Sequence, residues 1–136
     1  MQLGDLMTRD VVSLEENDSL DRADVYLDLG HIRHLPVTRQ GKLVGLVTHR
    51  DLLRHCRRSS DSQLTARDVM RRDVTTLPPE ASSREAIRLM LSNKFGCIPV
   101  IDQGKLVGIV TESDLLRVAD ARIEELERRE LAAAYD

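Results

Sequence analysis

The stretch GKLVGLVTHRDLLR, residues 41–54, returns as GKLVGIVTESDLLR at residues 104–117. In both, an apolar run of strand character follows a glycine, and a Thr-x-x-Asp step then opens a helix. The match extends backwards without a gap. Met7 falls on Met70 and Arg54 on Arg117 at a constant offset of 63 residues, and 21 of these 48 positions are identical. The identities include Pro36/Pro99, Gly41/Gly104, Gly45/Gly108, Thr48/Thr111 and Asp51/Asp114. The chain is a tandem duplication, and its fold follows from two like units.

Each copy reads the same way. DVVSL (10–14) and DVTTL (73–77) are short β-branched runs, hence strands. Asp18 or Ser19 then caps a helix with Leu20, Ala23 and Leu27 along one face. Gly30 ends that helix in the first copy and Asn93 in the second, the two residue types that tolerate a left-handed C-terminal position. IRHLPV and KLVGLV follow as two strands joined at TRQG, matched by IDQG in the second copy. Pro36 and Pro99 inside strands predict an edge or an irregular strand. The expected fold is α/β (α+β), two tandem β-α-β-β-α motifs. Neither half has enough apolar faces to stand alone, so the two pack on each other about a pseudo-twofold axis. The expected organisation is a first motif over 1–58, a polar linker over 59–66, a second motif over 67–119 and a helical extension over 120–136. Leu116, Ala119, Ile123 and Leu126 make an apolar stripe at the start of that extension. The stripe covers its own domain's core or forms a contact in a homodimer.

Composition narrows the function classes. The 136 residues are 41% hydrophobic and 32% charged, as in ordinary globular domains. A net charge of −3, with both signs intermixed, leaves no electrostatic footprint for nucleic acid. Tyr26, Phe95 and Tyr135 are the only aromatics, too few for a base-stacking platform. Cys56 and Cys97 are not closely spaced, so neither a zinc knuckle nor a disulfide framework is indicated, and a reduced, cytoplasmic setting is expected. No apolar run reaches the roughly 18 residues of a membrane helix, and the N-terminus has no secretion-signal pattern. All four histidines (His31, His34, His49, His55) lie in the first copy without a carboxylate cluster, so no metal site is expected. No arrangement of Ser, Cys and His marks a nucleophile, and no catalytic residue or required cofactor is assigned.

Taken alone, Thr48-x-x-Asp51 and Thr111-x-x-Asp114 are helix-capping boxes. In tandem with LMTRDVVSL, IRHLPV, VMRRDVTTL and GCIPV they carry more, and the chain resembles the cystathionine-β-synthase (CBS) domain pair, or Bateman module, over nearly its entire length. That resemblance implies a regulatory module binding AMP, ADP, ATP or S-adenosylmethionine in clefts between its two motifs. It implies that Asp51 and Asp114 hold ribose hydroxyls, whose paired donors suit a carboxylate. Thr48 and Thr111 would assist ribose or phosphate beside free helix-start amides. The adenine would lie among Val11, Val12, Leu35 and Pro36 in a first site, and Val74, Thr75, Ile98 and Pro99 in a second. His34 and Cys97, beside the strand prolines, complete the two sets. Arg33, His49 and Arg50 give the first site a phosphate grip, whereas Gly96, Glu112 and Ser113 stand at those places in the second copy. The first site therefore suits a phosphorylated ligand better, and Lys94 or Arg33 could serve either. A homodimer passing its signal to a separate effector protein is expected. The alternative is a ligand-free scaffold for dimerisation or protein interaction.

Overall fold

The computed structural model of the chain describes residues 1–21, 32–58 and 64–135. The first copy's expected helix with its Gly30 terminator, His31 and most of the linker fall largely outside those residues. The described elements are α1 (Leu3–Leu6), β1 (Leu14–Glu15), β2 (His34–Arg39), β3 (Lys42–Thr48) and α2 (His49–Arg58) in the first half. The second half has α3 (Ala66–Val69), α4 (Ser83–Asn93), β4 (Cys97–Asp102), β5 (Lys105–Thr111) and α5 (Glu112–Tyr135).

Both antiparallel hairpins close through two-residue turns. Gln40 (φ 53°) with Gly41 (φ 79°), and Gln103 (φ 50°) with Gly104 (φ 80°), put both central residues in the left-handed region. That is the turn whose twist matches a right-twisted strand pair. Pro36 does not sit at an edge: β2 is the middle strand of the sheet β1-β2-β3. Leu46, which faces Pro36 in the register, turns its own N–H and C=O away to Arg71, so the ladder needs no donor from the proline. The strand is irregular as expected, with a register shift between Val37 and Thr38.

The leading strands are shorter than the sequence predicts. β1 pairs in parallel with β2 at only two positions, and the second copy keeps a single bridge, Leu77 to Val100. The difference lies in the next residues. Glu16 donates its N–H to the Thr38 carbonyl at 3.2 Å, whereas the repeat mate of Glu16 is Pro79, which has no N–H to give. The terminator of α4 also shifts by one. Asn93 stays helical, its amide bonded to the Leu89 carbonyl at 3.1 Å, and Lys94 takes the left-handed position at φ 56°.

The two cores are built by exchange. Leu3 and Met7, at the start of the first copy, pack with Ile98, Val100, Val110 and Leu115 of the second. Ala66, Val69 and Met70, at the start of the second copy, pack with Leu35, Val37, Val47 and Leu52 of the first. Backbone bridges fix the crossing: Thr8 pairs with Ile109 on β5, and Arg71 pairs with Leu46 on β3. The repeated glycines make room for it. A Cβ on Gly45 would overlap Met70 Sδ and come within 2.9 Å of the Arg71 carbonyl, and one on Gly108 would meet Met7 Sδ and the Thr8 carbonyl.

The helix α5 runs 24 residues and buries Leu115. Residues 120–135 are exposed throughout, so the extension does not cover its own core. Among the described residues, the helix meets no further apolar surface beyond that point.

Gly45→Val should lower stability by roughly 2 kcal/mol, within the range for overpacked cores. Trimming Met70 to Ala in the same chain should not restore the loss, because the Arg71 carbonyl remains in the way. Denaturant midpoints of the single and double variants check this.

Candidate functional site

The second helix of each motif starts with the expected Thr-x-x-Asp box, and in both the box closes on itself. Thr48 N–H donates to Asp51 Oδ2 and Asp51 N–H to Thr48 Oγ1, each at 3.2 Å. Thr111 gives Asp114 Oδ2 both its N–H (2.9 Å) and its hydroxyl (3.1 Å), and Asp114 N–H returns to Thr111 Oγ1 at 3.4 Å. A third box, Thr65 with Asp68, starts α3, where no ligand role was expected. Box geometry by itself is therefore a folding device. One carboxylate oxygen of each repeated Asp stays off the backbone. Asp51 Oδ1 receives Arg71 at 3.4 Å, and Asp114 Oδ1 receives Arg117 at 3.4 Å.

A cavity of about 810 Å³ lies between the halves. The first half supplies Arg33, His34, Thr48, His49 and Arg50, with Ile32 and Leu46. The second half supplies Arg71, Asp73, Val74, Thr75, Lys94, Phe95, Gly96 and Cys97. The cavity thus brings five expected first-site residues together with Val74, Thr75 and Cys97 of the expected second set. Val11, Val12, Thr111 and Asp114 do not line it. Leu35 and Ile98 are fully buried in the two cores, with Pro36 and Pro99 beside them. Asp51 is also buried and stands behind Arg71 rather than on the cavity wall.

The exchange of leading segments explains this regrouping. Arg71 is pinned to Leu46 by two backbone hydrogen bonds of 2.9 Å, which carries Asp73, Val74 and Thr75 across to the first helix box. Thr8 makes the equivalent pair with Ile109, so Val11 and Val12 lead away toward the second box. Arg71 was missed in the sequence because its repeat mate is Thr8. That mismatch was the available signal.

The site is cationic. Arg33, Arg50, Arg71 and Lys94 line it, against a single lining carboxylate, Asp73, among the described residues. Gly96, which appeared as a lost cation in the second copy, is a matter of space. A Cβ there would lie 2.6 Å from His34 Nε2, so the imidazole of the first motif fills the room a side chain would need. Burial holds the His34 pKa below its ordinary 6.5, with Arg33 acting the same way and Glu112 opposing. Burial pushes the Cys97 thiol up to about 12, so at neutral pH it is no thiolate nucleophile. Among the described residues, no three His, Cys, Asp or Glu side chains are grouped to hold a metal ion, and no helix is long and apolar enough to cross a membrane.

Comparison with known proteins identifies the class. The family model of the CBS domain matches twice, at residues 3–58 and 66–121, and the chain belongs to that family. The CBS domain-containing protein YhcV of Bacillus subtilis is 32% identical over 112 residues, 82% of this chain and 80% of that protein. An inosine-5′-monophosphate dehydrogenase of Methanocaldococcus jannaschii is 30% identical over 115 residues, 83% of this chain, but the chain spans 22% of that enzyme's length. Among solved structures, the AcuB protein of Vibrio cholerae superposes with a TM-score of 0.83 at 34% identity, covering 94% of this chain and 96% of that one. CBSX2 solved with AMP gives 0.78 at 28% identity, covering 90% and 98%. The CBS domain pair of MJ0100, solved with 5′-methylthioadenosine and S-adenosyl-L-methionine, gives 0.80 at 26%, also covering 90% and 98%.

The depressed His34 pKa has a definite sign in stability. The unfolded chain binds this proton more readily, so stability is full above about pH 6.5 and declines as pH falls from there toward the folded-state pKa. His34→Gln should flatten that decline in thermal melts across the acidic range.

Proposed function

We propose that the chain is a regulatory sensor that binds an adenosine-containing ligand carrying phosphates, of the AMP, ADP or ATP kind, in the cavity between its motifs. The observation that carries this reading is the cationic lining beside the Thr48–Asp51 box. The crystallised relatives hold AMP, or 5′-methylthioadenosine with S-adenosyl-L-methionine. S-adenosylmethionine brings positive charge, which Arg33, Arg50, Arg71 and Lys94 disfavour, whereas phosphates take two hydrogen bonds from a guanidinium.

In this reading the ribose diol replaces Arg71 at Asp51 Oδ1, while Oδ2 keeps the Thr48 amide. The released Arg71 joins Arg33, Arg50 and Lys94 on the phosphates, and the base lies against Val74 and Thr75. Thr111 and Asp114, with Val11 and Val12, form the second site, where Glu112 and Ser113 replace His49 and Arg50. That site suits a less anionic adenosyl group. The ligand shifts the arrangement of the halves because Arg71 joins both, and it does so only by its differential affinity for two arrangements. The output passes to a separate effector protein in the cytoplasm. The role is binding rather than catalysis.

Calorimetry with AMP, ADP, ATP and S-adenosylmethionine tests the reading. Affinity should rise with phosphate number, and ligand at 100 times its dissociation constant should add about 2.7 kcal/mol to stability. Asp51→Asn, which keeps an acceptor for the Thr48 amide, should weaken nucleotide binding about tenfold, a loss of about 1.4 kcal/mol. Binding of S-adenosylmethionine as tight as ATP would overturn the phosphate assignment.

A further inference from the structure

The outer part of α5 carries an apolar face without a partner among the described residues of its own chain. Leu116 is 68% exposed, Ile123 53% and Leu126 43%. With Ala119 they follow a three-four spacing, the seam of a helix pair. Leu115, one residue before the seam and on the flank that Arg122 and Arg129 continue, is buried against the body, whereas Leu116 beside it is already exposed. Glu130 takes the next seam position and closes it.

The flanks say what covers this face. In the heptad set by Leu116 and Ile123, one flank carries Arg122 and Arg129 and the other carries Asp120 and Glu127. An antiparallel pair of such helices would set arginine against arginine and carboxylate against carboxylate. A parallel pair sets Arg122 of one copy against Glu127 of the other, twice by symmetry. Within the chain Arg122 reaches Glu125 on the outer face at 2.9 Å, while Glu127 has no ion-pair partner among the described residues. We infer that α5 joins two copies of this chain as a parallel helix pair, with Leu116, Ala119, Ile123 and Leu126 in the seam and Arg122–Glu127 fixing the direction. This does not depend on which ligand the cavity takes.

Sedimentation equilibrium of the full chain should show a dimer. Ile123→Glu with Leu126→Glu should raise its dissociation constant at least about a hundredfold, since four large apolar side chains lose their burial. Both side chains are exposed in the single chain, so its fold should be unaffected. Arg122→Glu and Glu127→Arg should each weaken the dimer about tenfold, and the two together should restore it. An Ala133→Cys chain should form a cross-link to its own copy on oxidation that the unmodified chain does not. A monomeric unmodified chain, a dimer that survives the double glutamate variant, or charge exchange without rescue would each overturn the inference.

Discussion

The structure depends on one steric interlock, a methionine of each half seated where the other half has a glycine. Met7 lies on Gly108 and Met70 on Gly45, and in both cases the neighbouring backbone pairs across the contact. Leu3 and Ala66, which precede the two methionines, are fully buried in the opposite half's core. Neither half closes its core without the segment lent by the other. Cores tolerate little change in volume at such contacts, so the glycine-methionine pairs fix how the halves sit together, and with that the shape of the space between them.

Duplication kept the scaffold and let the electrostatics diverge. The interlock residues, hairpin turns and helix boxes recur in both copies, while the basic residues facing the cavity differ from their repeat mates. Arg71 stands where the first copy has Thr8, Arg50 where the second has Ser113, and His49 where it has Glu112. The exchange of leading segments gathers the basic member of each of these pairs on one side. A chain with net charge −3 thereby presents a cationic cavity. Charge at the scale of the whole molecule says nothing about charge at 4 Å, where pairwise terms are far larger.

The Thr-x-x-Asp box holds two tasks in one side chain. One oxygen of Asp51 closes the helix start, and the other meets an arginine that belongs to the opposite half. A group competing for that second oxygen therefore acts on the contact between halves, not on the helix. This gives a ligand-sensing site a physical route to the arrangement of the motifs, since Arg71 is also tied to β3 through its backbone.

The duplication, the hairpins with their Gln-Gly turns and the helix boxes were legible in the sequence, because each depends on residues near one another in the chain. So was the basic character of the first copy, whose Arg33 and Arg50 both line the cavity. Other features were not. Asn93 gave up its terminating role to Lys94 because its amide found the Leu89 carbonyl, and the leading strand of the second copy shrank to a bridge beside two prolines. Gly96 looked like a missing cation until the His34 ring was seen to occupy its space. Above all, the sequence grouped the site residues by copy, placing Val11 and Val12 with Thr48 and Asp51. The tertiary structure decided otherwise, setting Val74, Thr75 and Arg71 beside that box. A repeat determines what each half is made of, but an exchange of segments between halves leaves both copies' patterns unchanged. Only the packing of Met7 and Met70 into opposite cores records which half each segment serves.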